Sequence, residues 1–158
     1  MSVVCPPPGT FEARRPARVG RRPASIFLWK ITSMPTMYGI PNCDTVRTAR
    51  DWLQNHDVAF EFHDFKKSEV PRDALAQWTV AIGWEKLVNR RGLTWRKLAA
   101  EQQLSVCDAE SACALMLSHP SVIKRPVMDW GDTATPRFTV GFDPELWNLM
   151  CTNPLQAR

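Results

Sequence analysis

Residues 37–63 change their hydrophobic periodicity twice, and this pattern limits the folds available to the chain. Residues 37–40 form a short apolar run that ends at Pro41-Asn42, which is typical of a buried strand followed by a turn. Residues 44–55 then place four apolar side chains on one helical face, namely Val46, Ala49, Trp52 and Leu53. Residues 58–63 alternate in the period of a second strand. A helix of about three turns between two strands favours a parallel, right-handed β-α-β unit.

The middle of the chain, residues 72–118, has helical patterns and no strand pattern. A first helix is predicted to end at Gly83. Trp95 and Leu98 are expected to begin a second helix, and Asp108 is a suitable N-cap for a third. This stretch is therefore predicted to be a helical insertion.

The end of the chain returns to strands. Residues 126–128 and 137–141 predict two strands around a turn, and residues 143–150 predict a closing helix. The complete order is β-α-β, a helical block, then β-β-α. It predicts an α/β protein with a thioredoxin-like fold and a helical insertion between the two halves.

The N-terminal residues 1–33 differ from the rest in charge and composition. They contain six basic residues and one acidic residue, so the net charge of +4 leaves the remainder slightly acidic. Five prolines and weak apolar periodicity predict a disordered extension. A transit peptide, a basic nucleic-acid arm and translation from an early start codon are three interpretations, of which we favour the third. The folded domain is predicted over residues 34–151, with a C-terminal tail at 152–158.

Apolar runs and cysteines restrict the class of protein. No apolar run approaches the ~18 residues that span a bilayer, so no membrane partner is expected. The five cysteines are scattered and odd in number, which does not suggest a disulfide framework. A cytoplasmic location fits this composition. The isolated histidines show no spacing of metal ligands, so no metal site is predicted.

Cys43 lies at the predicted start of the first helix. Backbone N–H groups there lack intrahelical acceptors, and the helix dipole presents positive charge, so a thiolate would be stabilised. Arg47, one turn along the helix, could add a positive charge. The alternative is a small apolar cysteine in the core. Val46 occupies the position of the second cysteine in a CxxC motif, so any disulfide requires another partner.

Arginines in two other segments could complete an anion site. Arg91 lies in the predicted loop 89–92, and Arg125 precedes a predicted strand. The planar guanidinium suits carboxylates and oxyanions, so convergence of both arginines on Cys43 would form an anion pocket. Solvated surface charge is the alternative for each arginine taken separately.

Four segments together resemble the arsenate reductase-like family, which includes Spx/MgsR-type transcriptional regulators and YffB-like thiol reductases. They are Tyr-Gly-Ile-Pro-Asn-Cys-Asp-Thr at 38–45, Phe-His-Asp-Phe at 62–65, Asn-Arg-Arg-Gly-Leu-Thr-Trp-Arg-Lys-Leu at 89–98 and Ile-Lys-Arg-Pro-Val at 123–127. The resemblance covers about residues 36–150. It is strongest to the YffB-like branch.

The resemblance implies roles for individual residues. Cys43 matches the family's nucleophilic cysteine, and Arg125 matches an arginine that precedes a cis-proline, here Pro126. Arg91 matches the loop arginine of the YffB-like branch, and Arg47 matches an arginine of arsenate reductases. The third pocket arginine of arsenate reductases aligns poorly, near Arg137, so the resemblance does not extend to arsenate as the substrate.

The resemblance also implies a function. A single reactive cysteine without a CxxC partner fits a thiol oxidoreductase that uses glutathione as co-substrate and holds no tightly bound cofactor. The alternative is an Spx/MgsR-type regulator that binds the RNA polymerase α subunit. Direct nucleic-acid binding is not expected, because the folded part is slightly acidic.

Overall fold

The structure is a computed structural model that describes residues 34–131 and 137–152. The expected extension at 1–33 and nearly all of the expected tail at 152–158 lie outside the described residues. The first strand, β1, spans Thr36–Gly39, and helix α1 spans Asp44–Asn55. Strand β2 follows at Glu61–Asp64. β1 and β2 are parallel, which confirms the predicted β-α-β unit.

The helical block is built from short segments. Its helices are α2 at Arg72–Ile82, α3 at Trp84–Leu87, α4 at Leu93–Lys97, α5 at Ala100–Leu104 and α6 at Ala109–Ser118. A 3-10 turn follows at Pro120–Val122. The Asp108 side chain accepts the Ser111 N–H at 2.8 Å, so the predicted N-cap of α6 is confirmed.

Strands β3, Val127–Asp129, and β4, Phe138–Val140, precede helix α7, Pro144–Thr152. The sheet order is β2-β1-β3-β4, with β3 antiparallel to both neighbours. Part of the predicted turn between β3 and β4, residues 132–136, lies outside the described residues. The observed order confirms the predicted α/β, thioredoxin-like fold class.

Helices cover both faces of the sheet. Met37 of β1 is opposite Met128 of β3, and both are fully buried in a cluster with side chains of α1 and α7. Tyr38 is opposite Val127, and these residues belong to the other cluster, which packs against the helical block. Because successive strand residues point to opposite faces, the sheet separates the two clusters.

Two details of the predicted elements are wrong. The second strand begins at Glu61 rather than at residue 58, because Glu61 is opposite Thr36, the first residue of β1, and earlier residues have no strand to pair with. Leu98 ends α4 rather than helping to begin a helix. The Gln103 side chain donates to the carbonyls of Trp95 and Leu98 at 3.0 and 3.1 Å, which satisfies acceptors outside a helix.

A glycine lets α1 lie close to β1. A Cβ atom on Gly39 would lie 3.0 Å from Cγ2 of Val46, which is closer than ordinary van der Waals contact. Val46 is fully buried in the first turn of α1. The close approach of strand and helix therefore fixes the position of the segment 40–43 that joins them.

Candidate active site

Cys43 is the N-cap residue of α1. Its backbone is extended, and its carbonyl accepts the N–H of Arg47 at 2.9 Å, which starts the helix. The preceding residues Pro41 and Asn42 form a turn after the buried Ile40. The Cys43 side chain is half-buried and packs against the α1 and α7 cluster. Its sulfur is therefore neither sealed in the core nor fully solvated.

The surroundings of Cys43 favour the thiolate. Burial by itself raises the pKa of this thiol. The largest effect that lowers the pKa is a hydrogen bond from the backbone N–H of Val46. The interaction with the Arg125 side chain and its charge lower the pKa further, and the backbone N–H of Thr45 has the smallest effect. Together these interactions hold the pKa of Cys43 below its ordinary value. A lowered pKa increases the fraction of the nucleophilic form at neutral pH.

Sheet pairing explains how Arg125 reaches Cys43. Since Tyr38 of β1 is opposite Val127 of β3 in an antiparallel pair, the end of β1 and the start of β3 meet at one edge of the sheet. Cys43 follows the end of β1, and Arg125 precedes β3 by two residues. The peptide bond between Arg125 and Pro126 is cis.

The Arg125 side chain is fixed by the backbone of the 3-10 turn. Its Nη1 donates to the Ser121 carbonyl at 2.9 Å. Its Nε is buried, and no acceptor among the described residues meets it. The guanidinium is thus held by the turn at Nη1, while its Nε has neither a partner nor access to solvent. Sequence reasoning missed Ser121, because a backbone carbonyl leaves no signal in the side-chain pattern.

The other two predicted arginines lie on the surface. Arg47 is exposed and pairs with the Asp44 carboxylate three residues before it on α1. Arg91 is also exposed, and its carbonyl accepts Nη2 of Arg96 at 2.8 Å. Within residues 34–131 and 137–152, Arg125 is the arginine that the structure places against Cys43.

Backbone hydrogen bonds nevertheless join the loop of Arg91 to the segment of Arg125. Val88 and Ile123 form an isolated antiparallel bridge. The Asn89 N–H donates to the Val122 carbonyl at 2.8 Å, and the Lys124 N–H donates to the Leu87 carbonyl at 2.7 Å. The two basic segments of the sequence are therefore neighbours. This pairing lacks the alternating pattern of a strand, so the sequence gives no sign of it.

Arg90, which precedes Arg91 in this loop, makes cation–π contacts with two tryptophan rings. The guanidinium carbon of Arg90 lies 5.5 Å from the ring centroid of Trp84 and 5.4 Å from that of Trp95. These contacts hold the loop against the helical block. Both arginines of the loop are exposed, but Arg90 also has a structural role through these ring contacts.

The remaining described cysteines differ from Cys43. Cys107 is exposed, and the Cys113 sulfur lies 3.3 Å from the Thr79 hydroxyl. Burial raises the pKa of Cys151, although the charge of Arg137 lowers it. In the described ranges, Cys43 is thus the cysteine with a lowered pKa, and Cys151 is shifted in the opposite direction.

Two other kinds of site were sought in the described residues. No group of three or more histidine, cysteine or acidic side chains is arranged there to hold a metal ion. None of the helices in the same ranges combines the length and the apolar character that a membrane span requires.

A known protein family matches most of the described residues. The sequence matches the model of the ArsC family over residues 38–150, a range that begins within β1, contains Cys43 and Arg125, and includes most of α7. The chain belongs to the ArsC family. This match places residues 38–150 in the arsenate reductase-like group that the sequence motifs resemble.

Individual members of the group are similar over most of their length. A solved structure described as YffB is 41% identical, with a TM-score of 0.69, and the alignment covers 74% of this chain and 98% of that one. An arsenate reductase-related protein from Brucella melitensis is 39% identical, with a TM-score of 0.58, over 77% and 97% of the two chains. A global transcriptional regulator Spx from Streptococcus mutans is 31% identical over 116 residues, which cover 71% of this chain and 79% of the regulator.

Proposed function

We propose that the protein is a glutathione-dependent thiol reductase in which Cys43 is the nucleophile and Arg125 binds the anionic partner. The observation that supports this proposal most strongly is the half-buried Cys43 sulfur at a helix N-terminus, with a lowered pKa and the positive charge of Arg125 beside it. This combination is typical of a reactive cysteine rather than of a cysteine used for packing.

The proposed reaction is a series of thiol–disulfide exchanges. The Cys43 thiolate attacks one sulfur of a substrate disulfide, forms a mixed disulfide with it and expels the other sulfur as a thiolate, which takes a proton from water. The thiolate of reduced glutathione then attacks the substrate sulfur of the mixed disulfide. Cys43 leaves as a thiolate, and a disulfide forms between glutathione and the substrate. A second glutathione thiolate then displaces the substrate thiolate from this disulfide and gives oxidised glutathione. No tightly bound cofactor is required, and a reducing cytoplasm would supply the glutathione.

The arginines have separate roles in this proposal. Arg125 stabilises the Cys43 thiolate before attack and again when Cys43 leaves the mixed disulfide, and its positive charge favours an anionic partner. Arg91 is exposed on a loop joined by the backbone to the Arg125 segment, so it can bind the outer part of the partner. Arg47 contributes positive charge on α1, but Asp44 offsets it. We expect its contribution to be the smallest.

Peptide mapping after reaction with oxidised glutathione tests the proposal. At neutral pH and short reaction times, we expect one glutathionyl group on Cys43 and removal of that group by excess reduced glutathione. Cys107 is an internal control, because it is exposed and would react if access alone controlled the chemistry. Modification of Cys107 before Cys43 would contradict the proposal.

A transcriptional regulator is the second candidate, and the similarity to Spx of Streptococcus mutans favours it. Spx/MgsR-type proteins bind the RNA polymerase α subunit and commonly use a CxxC switch, whereas this chain has Val46 at the second position. Retention of the α subunit by immobilised protein, together with an absence of cysteine-dependent turnover, would select this candidate.

A further inference from the structure

A basic groove lies at the same edge of the sheet as Cys43. It is an open depression of about 660 Å³. One wall is formed by the loop from β2 to α2, residues 65–72, and the other by the end of α6 and by Pro120. Phe65 N–H donates to the Gly39 carbonyl at 2.9 Å, so this loop begins where β1 ends.

The lining of the groove is predominantly positive. Lys66, Lys67 and Arg72 face it, and Glu69 is the acidic residue in the lining. Arg72 is also the first residue of α2, which begins after Pro71 without a side-chain cap. The dipole of this helix adds positive charge near the wall, and Asp73 in its first turn offsets part of it. Carboxylates suit such a lining better than neutral or cationic groups do.

Hydrogen bonds fix the backbone of the lysine-bearing loop. The Lys66 N–H donates to the Asp64 carboxylate at 2.9 Å, and the Lys67 and Ser68 N–H groups donate to the Asp64 carbonyl at 3.0 and 2.9 Å. Nε2 of His63 lies 2.9 Å from the Glu69 carbonyl oxygen, which adds a hydrogen bond to the same loop. The two ammonium groups are thus presented from a defined turn.

The groove and the cysteine share structural elements. Pro120 lines the groove, and the carbonyl of the next residue, Ser121, holds Arg125. Arg125 in turn lies beside Cys43. Residues 120–125 therefore connect one wall of the groove with the cysteine.

We propose that this groove binds the carboxylates of a peptidic disulfide while Cys43 attacks its sulfur. The inference rests on the proposed function and adds a substrate class to it, namely acidic peptide disulfides in preference to uncharged ones. Lys66 and Lys67 would then be specificity-determining residues that do not touch the reacting sulfurs.

Single-turnover kinetics with two disulfides test this specificity. Oxidised glutathione carries four carboxylates, and 2-hydroxyethyl disulfide carries no charge. The specificity ratio is the Cys43 rate constant with oxidised glutathione divided by that with 2-hydroxyethyl disulfide. In the double variant Lys66→Gln, Lys67→Gln, this ratio is expected to fall about tenfold at low ionic strength, because each exposed lysine contributes a modest charge interaction. Added salt should reduce the difference in this ratio between the double variant and the unaltered protein.

The matched control replaces two exposed lysines outside the groove, Lys86→Gln on α3 and Lys97→Gln on α4. This variant has the same change in net charge, and its ratio should match that of the unaltered protein. An equal ratio in the groove variant, or an equal fall in the control variant, would overturn the proposal.

A binding measurement separates failure of the groove from failure of the chemistry. S-methylglutathione cannot exchange disulfides, and its binding to the Cys43→Ser variant can be followed by calorimetry. Substitution of both groove lysines should weaken this binding, even if Cys43 shows no reductase chemistry. Unchanged affinity would exclude the groove, whereas weakened affinity together with an unreactive Cys43 would refute only the proposed reductase.

Discussion

The substitution Cys43→Ser is expected to abolish glutathione-dependent reduction of a disulfide substrate. Serine has nearly the same size and can keep the N-cap position, but its hydroxyl is not ionised at neutral pH and cannot form the mixed disulfide. The rate should fall roughly 10³-fold or more, to that of uncatalysed thiol exchange. A coupled assay that follows oxidised glutathione measures this change.

Cys107→Ser is the matched control for that assay. It makes the same chemical change at an exposed cysteine with no part in the site, so turnover should be retained. The melting temperatures of both variants should be measured, because a folded but inactive Cys43→Ser protein is the expected result. Turnover that survives in this variant would show that another thiol performs the reaction.

The substitution Arg125→Met should slow the reaction of Cys43 with iodoacetamide at neutral pH. Methionine removes both the charge and the hydrogen bond that stabilise the thiolate, so the pKa of Cys43 should rise. We expect the rate to fall about three- to tenfold, which is less than for a fully buried ion pair because Cys43 is partly exposed. Iodoacetamide is uncharged, so the measurement reports thiolate formation rather than anion binding.

Arg125→Lys separates charge from geometry. Lysine keeps the positive charge but lacks the planar arrangement of donors that lets Arg125 bond Ser121 while it faces Cys43. This variant should therefore fall between the unaltered protein and Arg125→Met. If Arg125→Met reacts as fast as the unaltered protein, Arg125 does not stabilise the thiolate.

Local periodicity was sufficient to predict most of the fold. The helix at residues 44–55 was predicted with the bounds that the structure has, because its apolar face and the flanking turns are both encoded locally. The start of β2 was not predicted correctly, because it depends on where β1 begins rather than on residues 58–60. Likewise, the Gln103 side chain bonds the carbonyls of Trp95 and Leu98 at the end of α4, a contact that residues 93–98 do not encode by themselves.

The candidate site was only partly readable from the residues. The position of Cys43 at a helix start follows from local pattern, but its contact with Arg125 depends on β3 lying beside β1, which no local pattern encodes. The residues alone name Arg125 as one of two candidate arginines, and the resemblance to a family matches it to a specific position before a cis-proline. The pairing of Arg47 with Asp44 was overlooked although its signal was present, because opposite charges three residues apart on a helix commonly interact.

The pH dependence of Cys43 alkylation tests the central claim most directly. The thiolate is the reactive form, so the rate rises with pH through the pKa of Cys43 in the folded protein and is constant above it. Because that pKa is lowered, the rise should be complete at lower pH than for Cys43 in the urea-unfolded chain. Coincident midpoints for the folded and unfolded chains, or a higher midpoint for the folded one, would contradict the account.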